Sequence, residues 1–308
     1  MQLDKTHIAI RERSVTDIFD LALHVMRHYF RPFFIAMFLG ALPFILFNGI
    51  VLGWLVHVNF DNVATEDFVA RSVRFMWTMA LLVAVEAPAA SIFATTWLGH
   101  AVFMDRPPWH TVLRTVARVF PRFTWTVLML RGILLALVIA AAIEPGEYSG
   151  QEFILVLLTV SVLLIRGARP FMNEIVLLER SPLRSKGPHT MTIARRSAIL
   201  HTSRSNFLIY QAFVSMSYAI LLTFALFAAL PTMQGILLDD WTLDNRLIEF
   251  GWPLALWFVA GFMTIVRFLQ YLDLRIRQEG WEVELRMRAA GARISATPAE
   301  RGSRAPIG

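Results

Sequence analysis

From Pro32 to Phe60 the chain reads PFFIAMFLGALPFILFNGIVLGWLVHVNF, without one Asp, Glu, Lys or Arg. An α-helix rises about 1.5 Å per residue, so roughly 20 apolar residues cross the hydrocarbon core of a bilayer. Inside that core no water is at hand for a backbone N–H or C=O, which leaves helices and closed barrels as the spanning structures. A transmembrane strand needs only about 10 residues, so a run of this length argues for helix. Five more such runs follow, and the expected spans are 33–57, 75–104, 122–143, 153–178, 207–230 and 249–271. The second is long, and Gly99-His100 marks where it would leave the bilayer. The expected fold class is therefore all-α integral membrane, with six transmembrane helices in one domain over 1–291. The remainder, 292–308, has no apolar face and reads as a disordered tail.

Composition agrees with the bilayer: 56% of residues are hydrophobic, mean hydropathy is +0.55 and only 17% are charged, where soluble domains carry about 25%. Cysteine is absent, which excludes disulfides, thiolate nucleophiles and cysteine-ligated metal centres. Residues 1–32 are polar or amphipathic, so no cleavable signal peptide is expected there.

Charge sorts the loops into two sets. NFDNVATEDF (59–68), EPGEYSGQE (144–152) and DDWTLDNRLIE (239–249) are acidic. The N-terminal arm, DRPPWHTVLRTVARVFPR (105–122), ERSPLRSKGPHTMTIARRSAILHTSRSN (179–206) and the C-terminal tail carry most of the 29 Lys and Arg. Positive charge stays on the cytoplasmic side. The pattern predicts both termini in the cytoplasm and an even number of crossings. Trp54, Trp77, Trp97, Trp125, Trp241 and Trp252 lie near span ends, where an interfacial aromatic belt is expected.

Three of the basic segments share a plan: SVTDIFDLALHVMRHYFRPFF (14–34), PPWHTVLRTVARVFPRFTW (107–125) and GPHTMTIARRSAILHTSRSNFL (187–208). Each opens on a helix-start signal: Ser14 with Asp17 three residues on, Pro108, and Pro188. Apolar residues then recur at helical spacing, as Ile18, Leu21 and Val25, as Val112, Val116 and Val119, and as Ile193 and Leu200 with Ala194 and Ala198 between. These predict three amphipathic helices lying on the inner leaflet. The chain then becomes a threefold internal repeat of interfacial helix, outward span and inward span. The bland reading, that basic loops of any multi-pass protein lie on lipid, stays open beside it.

At the C-terminal end, QYLDLRIRQEGWEVELRMRAAG (270–291) alternates apolar and charged residues as a strand would. A helix broken at Gly280 fits better, because Glu282→Arg286 and Glu284→Arg288 are favourable i,i+4 pairs. YLDLRIRQEGWEVEL resembles the ending of bacterial multi-pass proteins of the glycerophosphoryl diester phosphodiesterase membrane-domain type, as SVTDIFDLALHVMRHYF resembles their opening helix and IARRSAILHTSRSNF (193–207) the helix before their fifth span. The resemblance covers most of the chain in layout and only these stretches in residues. It implies a helical protein of the bacterial inner membrane. The catalytic activity in the family's name does not transfer, because a phosphodiesterase barrel of about 250 residues finds no room in this chain.

Span four ends on an unusual stretch, LLIRGARPFMNEIVLLER (163–180). Arg166, Pro170 and Glu174 fall on one helical stripe and Arg169 and Asn173 on the next. Pro170 cannot donate to the carbonyl of Arg166, which predicts a bend that must face protein or water. Other spans carry Glu86, Arg131 and Arg267. Each central charge costs about 2.5–3.5 kcal/mol to insert unless paired. The expected pairs are Glu86 with Arg131 or Arg166, and Glu174 with Arg169 or Arg267, around span four as the central, kinked helix. Three readings stay open: charges that lock helix ends together, a cavity that accepts an anionic group such as a lipid phosphate through arginine forks, or a proton or ion relay through Glu86.

The sequence contains no His-Glu-x-x-His, no Gly-x-Ser-x-Gly, no Walker loop and no dinucleotide glycine fingerprint. His24 and His28 have zinc-pair spacing with no third ligand in view, and read as headgroup contacts on an interfacial helix. Arg184, Lys186, Arg195, Arg196 and Arg204 form a basic cluster expected to meet anionic phospholipids, each contributing about 1 kcal/mol. No catalytic residue, cofactor, metal or nucleic-acid partner is expected; a membrane or cytoplasmic protein partner is left open. The leading expectation is a non-enzymatic organiser or accessory of the cell envelope. The alternative is a small transporter or lipid-handling protein that binds an anionic group at Arg131, Arg166, Arg169 and Arg267 with Glu86, Asn173 and Glu174.

Overall fold

A computed structural model of the chain describes residues 13–56, 65–101, 107–126, 138–139, 151–179, 181–183, 191–202, 205–241 and 245–279, and among these no strand occurs. Helix α1 (Val15–His28) starts where the Ser14/Asp17 spacing predicts. The Ser14 hydroxyl accepts from the Asp17 N–H at 3.1 Å, and the Asp17 carboxylate accepts from the Ser14 N–H at 3.2 Å. After Tyr29 the chain enters α2 (Phe30–Val56) with no intervening loop, the Phe33 N–H donating to the Tyr29 carbonyl. Then follow α3 (Thr65–Ala90), α4 (Ile92–Ala101) and α5 (Trp109–Phe123).

The fourth apolar run divides. Helix α6 (Gln151–Ala168) stops before Arg169-Pro170, and the chain resumes as a single turn, α7 (Met172–Glu174), that widens into a π-helical turn at Ile175–Glu179. Pro170 lacks the N–H that would carry the helix on, so the predicted bend is a full break. The last helices are α8 (Ile193–Thr202), α9 (Ser205–Leu238) and α10 (Trp252–Glu279), the last preceded by a π-turn at Leu247–Gly251.

Four stretches are long and apolar enough to cross a membrane: Phe30–Gly53, Val69–Ala90, Asn206–Leu238 and Leu247–Gln278. They answer to the first, second, fifth and sixth expected spans. The fourth contributes a shorter apolar stretch, Phe153–Leu164, and the third lies mostly outside the described residues. So do the expected C-terminal helix beyond Glu279 and the tail.

The centre of the bundle is not the fourth run, as the charged stripe suggested. It is α10, which packs against α1, α2, α3, α4, α8 and α9. In α10 and α3, 61% of the most apolar window is buried, against 17% in α9. Helix α6 leans on α3 and turns Phe153, Leu157 and Leu164 outward. Its charged residues, Glu152 and Arg166, sit near its two ends, and the uncharged stretch between them has the outer face of a lipid-exposed helix. Helices α2 and α3 approach closely at Gly40, where any Cβ would run into the backbone carbonyl of Ala90.

The three amphipathic helices bury their apolar faces against the bundle. Helix α1 seats Ile18, Phe19, Ala22 and Val25 on α10, while α5 seats Val112, Val116, Val119 and Phe123 on α4 and the Ile175–Glu179 turn. In α8 the expected face is rotated: Ile193, Ser197, Leu200 and His201 are buried, and Ala194 and Ala198 are exposed. Burial of the histidine is tolerable because its Nδ1 bonds the Ser197 carbonyl one turn back, at 2.7 Å. The tryptophans divide as well. Trp125 and Trp241 are exposed as belt residues would be, but Trp97 and Trp252 are core, with the Trp252 indole N–H donating to the Met76 carbonyl at 2.8 Å.

Candidate functional site

Two breaks in helices, one in each of two neighbouring runs, meet a single arginine. Pro88 has no N–H for the ladder, and the helix is interrupted at Ser91, between α3 and α4. Across from it, the break at Pro170 brings α7 alongside. Asn173 donates its amide to the Pro88 carbonyl at 2.5 Å and lies 3.4 Å from the Ser91 hydroxyl. That hydroxyl in turn donates to the same carbonyl at 3.0 Å. From α10, Arg267 donates through Nε to Glu174 Oε1 at 2.7 Å and through Nη2 to Ser91 Oγ at 3.1 Å. Glu174 is completely buried and Arg267 is 14% exposed. A carboxylate and a guanidinium enclosed this way are each held by the other, and an anionic ligand would have to displace Glu174 from the fork.

A second set of polar contacts gathers at the C-terminal end of α10. Glu179, the last residue of the π-turn, accepts a bidentate pair from Arg196 of α8, Nε to Oε2 at 2.6 Å and Nη2 to Oε1 at 2.9 Å. The Tyr271 hydroxyl donates to Glu179 Oε1 at 2.6 Å, and Arg275 lies 3.8 Å from the same oxygen. One helical step away, Asp273 accepts from the Arg13 backbone N–H at 2.9 Å and from Arg277 Nε at 2.7 Å. Arg277 Nη2 closes the ring on the Arg13 carbonyl at 2.7 Å. Gln278 donates to the Leu200 carbonyl of α8 at 3.0 Å. The polar residues of YLDLRIRQ thus work as two clamps, one on α8 and one on the start of α1.

The third polar feature is isolated. Glu86 of α3 faces Asn48 of α2, whose Nδ2 donates to Glu86 Oε2 at 2.8 Å. Both residues are buried, at 2% and 1% exposure, and the other oxygen of each, Glu86 Oε1 and Asn48 Oδ1, has no hydrogen-bond partner.

Of the residues singled out in the sequence, Asn173, Glu174 and Arg267 come together. Glu86 stands apart from them, with Asn48 in place of the expected arginine. Arg131 and the side chain of Arg166 lie outside the described residues. Arg169 sits at the break and is exposed, not turned inward with Asn173 and Glu174. Of the basic cluster, Arg195 is exposed as a headgroup contact requires, whereas Arg196 is engaged by Glu179. Arg184, Lys186 and Arg204 lie outside the described residues. Sequence reasoning missed Asn48, Ser91, Glu179, Tyr271 and Asp273. A signal existed for Asn48, the one amide in an apolar run of more than 20 residues. Compared with known proteins, the chain matches no family model, no curated protein and no solved structure.

Proposed function

We propose that this chain is a six-span protein of the bacterial inner membrane that organises or assists envelope components without catalysing a reaction. Both termini face the cytoplasm in this reading, and three amphipathic helices lie at the cytoplasmic face, in contact with anionic phospholipids. The observation that carries it is the internal pairing of two arginines: Arg267 is bound by Glu174 and Ser91, and Arg196 by Glu179. Groups committed to one another hold helices in place and are poor candidates for catching a substrate. The order α1–α2–α3 and α8–α9–α10, an amphipathic helix followed by two apolar ones, supports the repeat of three such units. The layout of the glycerophosphoryl diester phosphodiesterase membrane-domain type remains part of this proposal.

Native mass spectrometry of the protein released from nanodiscs tests it, with wild type beside Arg166→Gln/Arg169→Gln. The expected result is the bare chain, or the chain with a stoichiometric polypeptide, and no small anion in either sample. A retained anionic lipid or metabolite in wild type, lost in a folded double variant, would replace the organiser with the lipid-handling or transport alternative.

A further inference from the structure

The Asn48–Glu86 pair has a geometry that a carboxylate leaves incomplete. An amide and a carboxyl group can form two hydrogen bonds in a ring, N–H to one oxygen and O–H to the other, but the second needs a proton on the acid. Here the first bond is made, Asn48 Nδ2 to Glu86 Oε2 at 2.8 Å, and the two atoms left over are both acceptors, Glu86 Oε1 and Asn48 Oδ1. Buried polar atoms in folded proteins are satisfied with few exceptions, and in hydrocarbon no solvent stands in. One proton on Glu86 Oε1 supplies the donor that both atoms lack.

We propose that Asn48 and Glu86 form a proton-binding latch between α2 and α3, in which a proton bound by the Glu86 carboxylate is donated to the Asn48 side-chain oxygen. The step is a simple protonation: one proton adds to Glu86 Oε1, the carboxylate becomes a neutral acid, and no other bond breaks. Among the described residues, little else could neutralise the charge. From α10, Arg267 is bound by Glu174 and Ser91. Along α2 the one charged residue is Arg31, at its opposite end, and α4 offers only His100, also at its far end. Within α3 the charged residues Glu66, Asp67, Arg71 and Arg74 are three or more turns away. On α6, which also packs against α3, the charged side chains are those of Glu152 and Arg166, both outside the described residues. Release of the proton would leave a negative charge between two apolar helices, so proton binding and α2–α3 closure are coupled. Neither the organiser reading nor its alternative is needed for this.

The decisive experiment is a pair of measurements on the full chain in nanodiscs at neutral pH. Infrared difference spectroscopy of wild type against Glu86→Gln should show the carbonyl stretch of a protonated carboxylic acid in wild type only. Glu86→Gln can rebuild the ring, since its amide donates to Asn48 Oδ1 and accepts from Asn48 Nδ2; it should unfold at the wild-type temperature, while Glu86→Ala should unfold earlier. Absence of the acid band overturns the proposal, whatever Glu86→Ala does. So does a Glu86→Gln variant that folds and is as unstable as Glu86→Ala. A third outcome also overturns it: wild type stabilised by sodium chloride over choline chloride, with the gain lost in Glu86→Gln, would assign the two oxygens to a sodium ion.

Discussion

Replacing Arg267 by methionine tests whether the polar seam is structural. The substitution keeps an unbranched stem of similar reach and removes a guanidinium that donates to Glu174 Oε1 at 2.7 Å and Ser91 Oγ at 3.1 Å. What remains is a fully buried Glu174 whose second oxygen already has no partner. Breaking a buried pair from one side typically costs about 3–5 kcal/mol, because the surviving charge is uncompensated. The lost bond to Ser91 adds about 1 kcal/mol at most, since that hydroxyl still donates to the Pro88 carbonyl. The expected loss is therefore about 4 kcal/mol, near a thousandfold in the folded-to-unfolded ratio at about 1.4 kcal/mol per tenfold. Removing both partners is a different perturbation. Arg267→Met/Glu174→Leu replaces two charges by apolar groups of comparable volume, and such swaps are often neutral or stabilising. The double variant should return to within about 1 kcal/mol of wild type, a recovery of about 3 kcal/mol over the single variant.

Reversible unfolding in mixed detergent micelles reads these values from the nine tryptophans, and a chain without cysteine gives no signal to a thiol dye. A single variant that loses under about 1 kcal/mol would refute the argument, since a broken buried pair cannot be that mild. A double variant no better than the single would do the same.

Glu179→Gln weakens the acceptor shared by Arg196 and Tyr271, and hydrogen exchange should rise about tenfold or more across Ile193–Thr202 while α1 stays protected. Asp273→Ala removes the acceptor of the Arg13 N–H and of Arg277 Nε, so exchange should rise over Val15–Phe19 with α8 unchanged; equal loosening of both helices would contradict separate clamps. Gly40→Ala drives a Cβ into the Ala90 carbonyl, and overpacking of about 1–3 kcal/mol should lower the unfolding temperature. Gly49→Ala is its control, because nothing lies within 4 Å of the added Cβ.

Features set by local chemistry were legible before any coordinates. The Ser14 cap needs only Asp17 three residues on, the break at Pro170 needs only a missing N–H, and the apolar runs need only their length. The partner of Glu174 was one of two arginines named from span positions alone. Which helix occupies the centre was not legible, and the reason is physical. Lipid and protein interior both select apolar side chains, so α9 and α10 read alike although one is largely exposed and the other enclosed. Trp97 and Trp252 passed for belt residues on the same account. The rotated face of α8 was missed because the Ser197 hydroxyl and His201 Nδ1 find partners within their own helix, which composition does not reveal.

The end of α10 shows why alternation there invited a strand reading and still produced a helix. Tyr271 and Arg275 are one turn apart on one stripe, and Asp273 and Arg277 are one turn apart on another. A step of two residues on an α-helix is about 200°, so the two stripes lie on nearly opposite sides of the cylinder. Polar residues at every second position therefore serve two neighbours, α8 through Glu179 and the start of α1 through Arg13. The apolar residues between them, Leu274 and Ile276, are buried as well. A strand would need a partner strand to satisfy its backbone, whereas this helix satisfies its own and leaves its side chains for docking. The two amphipathic helices are thus held by about two turns of one helix, with separate acceptors, so lesions at Glu179 and Asp273 release them one at a time and unwinding of those turns releases both.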